Sequence, residues 1–93
     1  MRTIEYASAF KKDFKRVKAS PRHKDVEVLL KGALQLLVAD EPLPVSQRDH
    51  ALTGNWSGYR ECHLKPDLLL IYKKPDDETL RIARLGSHSE LFS

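Results

Sequence analysis

Apolar side chains recur along this chain at two spacings, and the spacings define its elements. Arg2-Thr3-Ile4-Glu5-Tyr6 alternates polar and apolar around a β-branched and an aromatic residue, which predicts a short first strand. Phe10, Phe14 and Val17 then recur at i, i+4 and i+7, so one face of a helix is apolar. Ser8 stands where it can cap that helix. Lys11, Lys12, Lys15, Arg16 and Lys18 lie mostly off the apolar face and read as a solvated surface. Ser20-Pro21 restarts the helical pattern, with serine as cap and proline in the first turn. Val26, Leu29, Leu30, Ala33, Leu36 and Leu37 trace one stripe to about Ala39, the longest periodic segment. The spacing implies two antiparallel helices joined by a short connection. His23, in the first turn of the second, is expected exposed and without a role.

Pro42 and Pro44 make Asp40 to Arg48 a loop. Three β-favouring segments follow: Trp56 to Leu64, Leu68 to Lys73 and Thr79 to Leu85, the last two separated by the polar turn Lys74-Pro75-Asp76-Asp77. Their short connections imply an antiparallel meander. The order β-α-α-β-β-β predicts an α+β fold, an antiparallel sheet with both helices packed on one face. In the tail, Ser87 and Glu90 have capping-box spacing, so one helical turn is expected to set His88 beside the end of the last strand. Phe92, taken singly, reads as a small apolar staple onto the core.

Composition narrows this picture. Ninety-three residues make one domain, 1–93, with room for one hydrophobic core. A formal charge of +3 and a pI near 9.1 permit a polyanionic partner such as RNA without requiring one. The single cysteine, Cys62, excludes an internal disulfide and fits a reducing, cytoplasmic setting. It reads as a small core residue of a strand rather than a nucleophile. No apolar window approaches the roughly 18 residues of a membrane span, and no secretory signal is visible.

The candidate chemistry is concentrated between Asp49 and Tyr72. His50, His63, Asp67, Arg60 and the only tryptophan, Trp56, fall there, and His88 follows in the tail. The histidines have no metal-ligand spacing, and no phosphate loop, nucleophile elbow or dinucleotide fingerprint appears, so neither metal nor cofactor is expected. His63 and Asp67 flank a turn. A three-residue loop at Leu64-Lys65-Pro66 would set them opposite each other. A two-residue loop at Lys65-Pro66 would pair Leu64 with Asp67 and turn His63 to the other face. Histidines beside a carboxylate suit acid–base work on a phosphodiester: a base for the 2′-OH, an acid for the leaving 5′-oxygen, and cations for the charge that develops. Arg60, Lys65 and Arg84 can supply positive charge. Trp56 and Phe92 can stack on an unpaired base.

The string Asp49-His50, Leu52-x-Gly54-x-Trp56-x-Gly58-Tyr59-Arg60, His63, Pro66-Asp67 and Leu70-Ile71-Tyr72 resembles the YafQ-type toxins of the RelE/ParE superfamily. Arg84, Gly86, His88 and Leu91-Phe92 continue the match in the tail, and Ile4-Glu5-Tyr6 and Arg22-His23-Lys24-Asp25 do so near the start. The resemblance implies a RelE-like compact fold and the toxin half of a bacterial type II toxin–antitoxin pair. It implies a ribosome-dependent endoribonuclease that cuts mRNA in the A site by metal-independent attack of the 2′-oxygen. The products would be a 2′,3′-cyclic phosphate and a 5′-hydroxyl. The functional positions it implies are His50, His63, Asp67, His88 and Phe92. The implied partner is a DinJ-like antitoxin that wraps the toxin and dimerises on operator DNA. RelE-like members rely on arginines, lysines and a terminal tyrosine. Here the corresponding strand is apolar (Leu68, Leu69, Leu70) and the terminal aromatic is Phe92, which shifts the burden to the histidines and Asp67. We expect His50 as general base, His88 as general acid, and His63 with Asp67 orienting groups or stabilising charge. The alternative is a ParE-like inhibitor of a protein such as gyrase, but those members lack this histidine set.

Overall fold

The computed structural model describes residues 1–92. Strand β1 (Thr3–Tyr6) leads into helix α1 (Ser8–Lys18), a short 3-10 turn at Pro21–His23 and helix α2 (Val26–Val38). The remaining elements are β2 (His50–Ala51), β3 (Arg60–Lys65), β4 (Leu68–Lys73), β5 (Thr79–Gly86) and the one-turn helix α3 (His88–Phe92). The five strands form one sheet in the order β1-β5-β4-β3-β2.

The expected meander is present, since β3, β4 and β5 pair antiparallel in sequence order. Two features correct the expected sheet. First, β1 lies parallel to β5, so the sheet is mixed. The long excursion through α1 and α2 lets the chain bring β1 to the far side of β5 in that sense. Second, the segment before Trp56 contributes a fifth strand: His50 and Ala51 pair with Glu61 and Arg60. Trp56 itself belongs to a 3-10 turn, Gly54–Trp56, and the strand expected to begin there begins at Arg60. Gly54 (φ 66°) and Gly58 (φ 92°) bracket that turn in the left-handed region, which a strand cannot accommodate. The first helix lacks its expected serine cap. Ala7 holds the cap position, no side chain caps the helix, and Ser8 is already helical.

Helices α1 and α2 cover one sheet face. Phe10, Val17, Val26, Leu30, Ala33, Leu34 and Leu37 pack there against Cys62, Leu64, Leu70, Tyr72, Leu80, Ile82 and Leu85. The opposite face carries a smaller cluster in which Leu69, Ile71, Ala83 and Leu91 are buried under Leu52, Trp56, Tyr59 and Phe92. Strand β4 is therefore covered on both sides, and residues 68–72 are all buried. Double coverage is why its sequence is an unbroken apolar run rather than an alternation. Cys62 is fully buried, and burial pushes its thiol up to about 12. The core reading of that cysteine holds. Among the described residues, no helix is long and apolar enough to cross a membrane.

Candidate active site

The second face, away from α1 and α2, holds the histidines. Residues opposite each other across a sheet point to the same side. One cross-strand row runs His50–Glu61–Ile71 and the next runs His63–Leu69–Gly86. Ile71 and Leu69 belong to the smaller cluster, so His50, Glu61 and His63 lie on its face. The second row ends at Gly86, directly before α3, which carries His88 and Phe92. With neighbouring strands about 5 Å apart, the His63 backbone stands about 10 Å from Gly86, two residues before that helix.

The His50 and His63 rings are 6.5 Å apart, centroid to centroid. Between them lies Glu61, only 5% exposed, with Oε1 3.2 Å from His63 Nε2 and 4.0 Å from His50 Nε2. Glu61 is the buried carboxylate of this face that sequence reasoning passed over. Its signal is the spacing Glu61-x-His63 in a strand whose intervening and following positions, Cys62 and Leu64, face the main core.

His50 is held from two directions. Its Nδ1 lies 2.7 Å from the Arg48 carbonyl. A carbonyl only accepts, so Nδ1 carries the proton and donates, and in the neutral ring Nε2 keeps its lone pair. Arg48 presents that carbonyl from a left-handed conformation, φ 50° and ψ 45°. Such a conformation is uncommon for arginine and is found where the surrounding structure imposes it. Asp49, the preceding residue, accepts from the Tyr72 hydroxyl at 2.5 Å and from Arg60 Nε at 3.2 Å. These bonds pin the two-residue strand to β3 and β4. Burial, then the neighbouring Asp49 carboxylate, raise the Tyr72 hydroxyl well above its ordinary value, so Tyr72 remains a donor. The Asp49 contact likewise raises Arg60.

At the other end of the face, Phe92 joins an aromatic group. His88 packs on it at a tilt, 4.9 Å between ring centroids, Trp56 meets it edge-on at 6.4 Å, and Trp56 meets Tyr59 at 5.2 Å. Lys73 Nζ sits 5.1 Å above the Tyr59 ring. His88 is exposed, and Phe92 is half-buried.

The carboxylate beside His50 and His63 is Glu61, and Asp67 pairs with Arg22 instead. Neither loop expected from sequence forms. Lys65 pairs with Leu68 across a two-residue turn at Pro66-Asp67, and the irregularity of register at Leu64 keeps His63 opposite Leu69. Asp67 sits at the hairpin tip, 2.6 Å from Arg22. His23, expected idle and exposed, is half-buried nearby, with Nδ1 enclosed and unpartnered. The cations named from sequence are engaged as well. Arg84 donates to Asp13 at 2.6 Å, Arg60 to Asp49, and Lys65 to Asp25 at 3.2 Å and to the Arg22 carbonyl.

The family described as "Bacterial toxin of type II toxin-antitoxin system, YafQ" matches residues 2–93, which sets the class of this fold and its histidine-bearing face: a bacterial toxin of the type II systems. A curated relative, the mRNA interferase toxin YafQ of Escherichia coli K12, is 46% identical over 92 residues, covering 98% of this chain and 96% of its own. The crystal structure of YafQ from E. coli BL21(DE3) superposes with a TM-score of 0.86 at 42% identity over the whole of both chains. The toxin in the crystal structure of the E. coli DinJ–YafQ complex does so at 0.85 and 44%, again over both whole chains. This chain belongs to the YafQ family of bacterial toxins.

Proposed function

We propose that this chain is an mRNA interferase, an endoribonuclease that cuts mRNA in the ribosomal A site by metal-independent acid–base catalysis. The observation that carries this reading is His50, with its Nδ1 proton engaged by the Arg48 carbonyl and its Nε2 turned to the face that holds Glu61, His63 and α3. In this reaction His50 Nε2 takes the 2′-OH proton, and the freed 2′-oxygen bonds to the adjacent phosphorus. The P–O5′ bond breaks as protonated His88 gives its proton to the 5′-oxygen. A 2′,3′-cyclic phosphate and a 5′-hydroxyl remain. His63, beside the buried Glu61 carboxylate, supplies positive charge to the developing phosphorane. Phe92 and Trp56 offer stacking surface to a splayed base. Asp67 acts away from the proton transfers, holding Arg22 at the hairpin tip where both can meet the RNA strand.

Arg22, Arg60, Lys65 and Arg84 already have carboxylate partners, so these four have little free charge left to grip a flexible strand. The ribosome would supply that hold. A non-enzymatic inhibitor of gyrase would need none of the His50–Glu61–His63 arrangement. We place the protein in the cytoplasm, where its substrate is. We assign it a DinJ-like antitoxin partner, with operator DNA reached through the antitoxin. An apolar groove lined by Ile4, Phe14, Leu30, Leu34 and Val38, beside the open edge of β1, suits such a partner. The test is cleavage of one mRNA by the purified protein, bound to ribosomes and naked. Cutting is expected only on the ribosome. Equal cutting of naked RNA would overturn the ribosome requirement, and no cutting in either state would overturn the nuclease.

A further inference from the structure

Helix α3 has five residues, too few to persist alone, yet it carries His88 and Phe92. Leu91 anchors it in the smaller cluster. The capping box closes as its spacing predicts. The Ser87 N–H donates to Glu90 Oε1 at 2.8 Å, and the Glu90 N–H donates to Ser87 Oγ at 3.2 Å.

That leaves the other oxygen of Glu90, and it faces α1: Oε2 lies 3.2 Å from Arg16 Nε. Of Arg16's remaining nitrogens, one serves the strand that feeds α3 and the other its own helix. NH2 donates to the Leu85 carbonyl at 3.2 Å, and NH1 donates to Asp13 at 2.9 Å. Asp13, 2% exposed, in turn holds the Leu85 N–H at 3.0 Å and Arg84 at 2.6 Å. The assembly crosses directly over Gly86, the joint between β5 and α3. A Cβ built there would stand 3.0 Å from both Arg16 NH2 and Glu90 Oε1. Glu90 is held below the usual carboxylate range, chiefly by the Ser87 N–H, with Arg16 adding to it.

Resting on the nuclease reading, we infer that the Arg16–Glu90 ion pair is a latch that fixes α3 against the sheet and so positions His88 for its proton transfer. Arg16 and Glu90 are positioning residues; neither touches the substrate. Both side chains are 45% exposed, so the pair contributes little to global stability and acts on the docking of one short helix. Salt should weaken the latch for the same reason.

Glu90→Gln is the informative variant, since glutamine keeps the capping geometry and loses the charge. Amide exchange of Glu90 and Leu91 should quicken by up to about five-fold, the scale of a half-exposed ion pair. On ribosome-bound mRNA, kcat should fall by up to about the same factor with KM unchanged. Both effects should vanish in an Arg16→Gln background, because the partner charge is already gone. Unchanged exchange in Glu90→Gln would overturn the latch, whatever the cleavage result. Faster exchange with unchanged kcat would overturn the positioning role. A wild-type chain that cuts no RNA would sink the nuclease reading, while the exchange measurement still decides the latch.

Discussion

Glu61 shows how little a single letter reveals. In the sequence it is one of thirteen acidic residues, set beside an arginine and a cysteine. In the fold it is a buried carboxylate between two imidazoles. A buried charge persists only when paired, and His63 is the partner within ion-pair reach. Glu61→Gln keeps the size and removes the charge. It should lower the cleavage rate by about 100-fold, the scale of lost charge stabilisation in the transition state, while the melting temperature moves little. Single-turnover kinetics and a thermal melt check both halves. The histidines were legible by type and by family resemblance. What sequence left open was the His63–Asp67 relation, because a one-residue change in hairpin register reverses a side chain. The register at Leu64 decided it in a way neither loop anticipated.

At the scale of elements, hydrophobic period was a reliable guide wherever burial is one-sided or complete. The solid run of β4 came through as drawn. The α2 stripe did so with Leu34 buried where Leu36 was expected, and its helix starts only at Val26, after a separate 3-10 turn. The two-residue β2 did not, because it has no periodicity to read and is held by Asp49 contacts rather than by apolar burial. Asp13 escaped notice for a related reason: it falls on the Phe10–Val17 face yet is acidic. Burial pushes its carboxyl up. Hydrogen bonds from Arg84, the Leu85 N–H and Arg16 outweigh that and leave it below its ordinary value. A carboxyl lowered by folding stabilises above the unfolded value of about 4, and that contribution is lost as pH falls through the folded value. Asp13→Asn should therefore cost about 3 kcal/mol at neutral pH, most of it from the Arg84 and Leu85 contacts, since Arg16 is half in water. Urea melts between pH 7 and 2 should show the wild type losing its advantage over the variant as acid is added. A constant difference would contradict the assignment.

For the whole molecule, the sheet divides two jobs. One face builds the main core with α1 and α2, and the other carries titratable groups at one end and an aromatic cluster at the other. The α+β class, the helices on one face and the terminal helical turn were all readable from pattern. The parallel β1–β5 pairing was not, because strand order across a long helical excursion leaves no local trace. The reach of His88 toward the face was legible only as a capping box, and its side of the sheet needed the fold. The most direct test of the account is single-turnover cleavage of ribosome-bound mRNA by wild type, His50→Ala and His88→Ala, with the product ends identified. The account predicts cyclic-phosphate and 5′-hydroxyl ends, with a loss of about 100-fold or more in each variant. Undiminished cleavage in both variants, or 3′-hydroxyl and 5′-phosphate ends from the wild type, would contradict it.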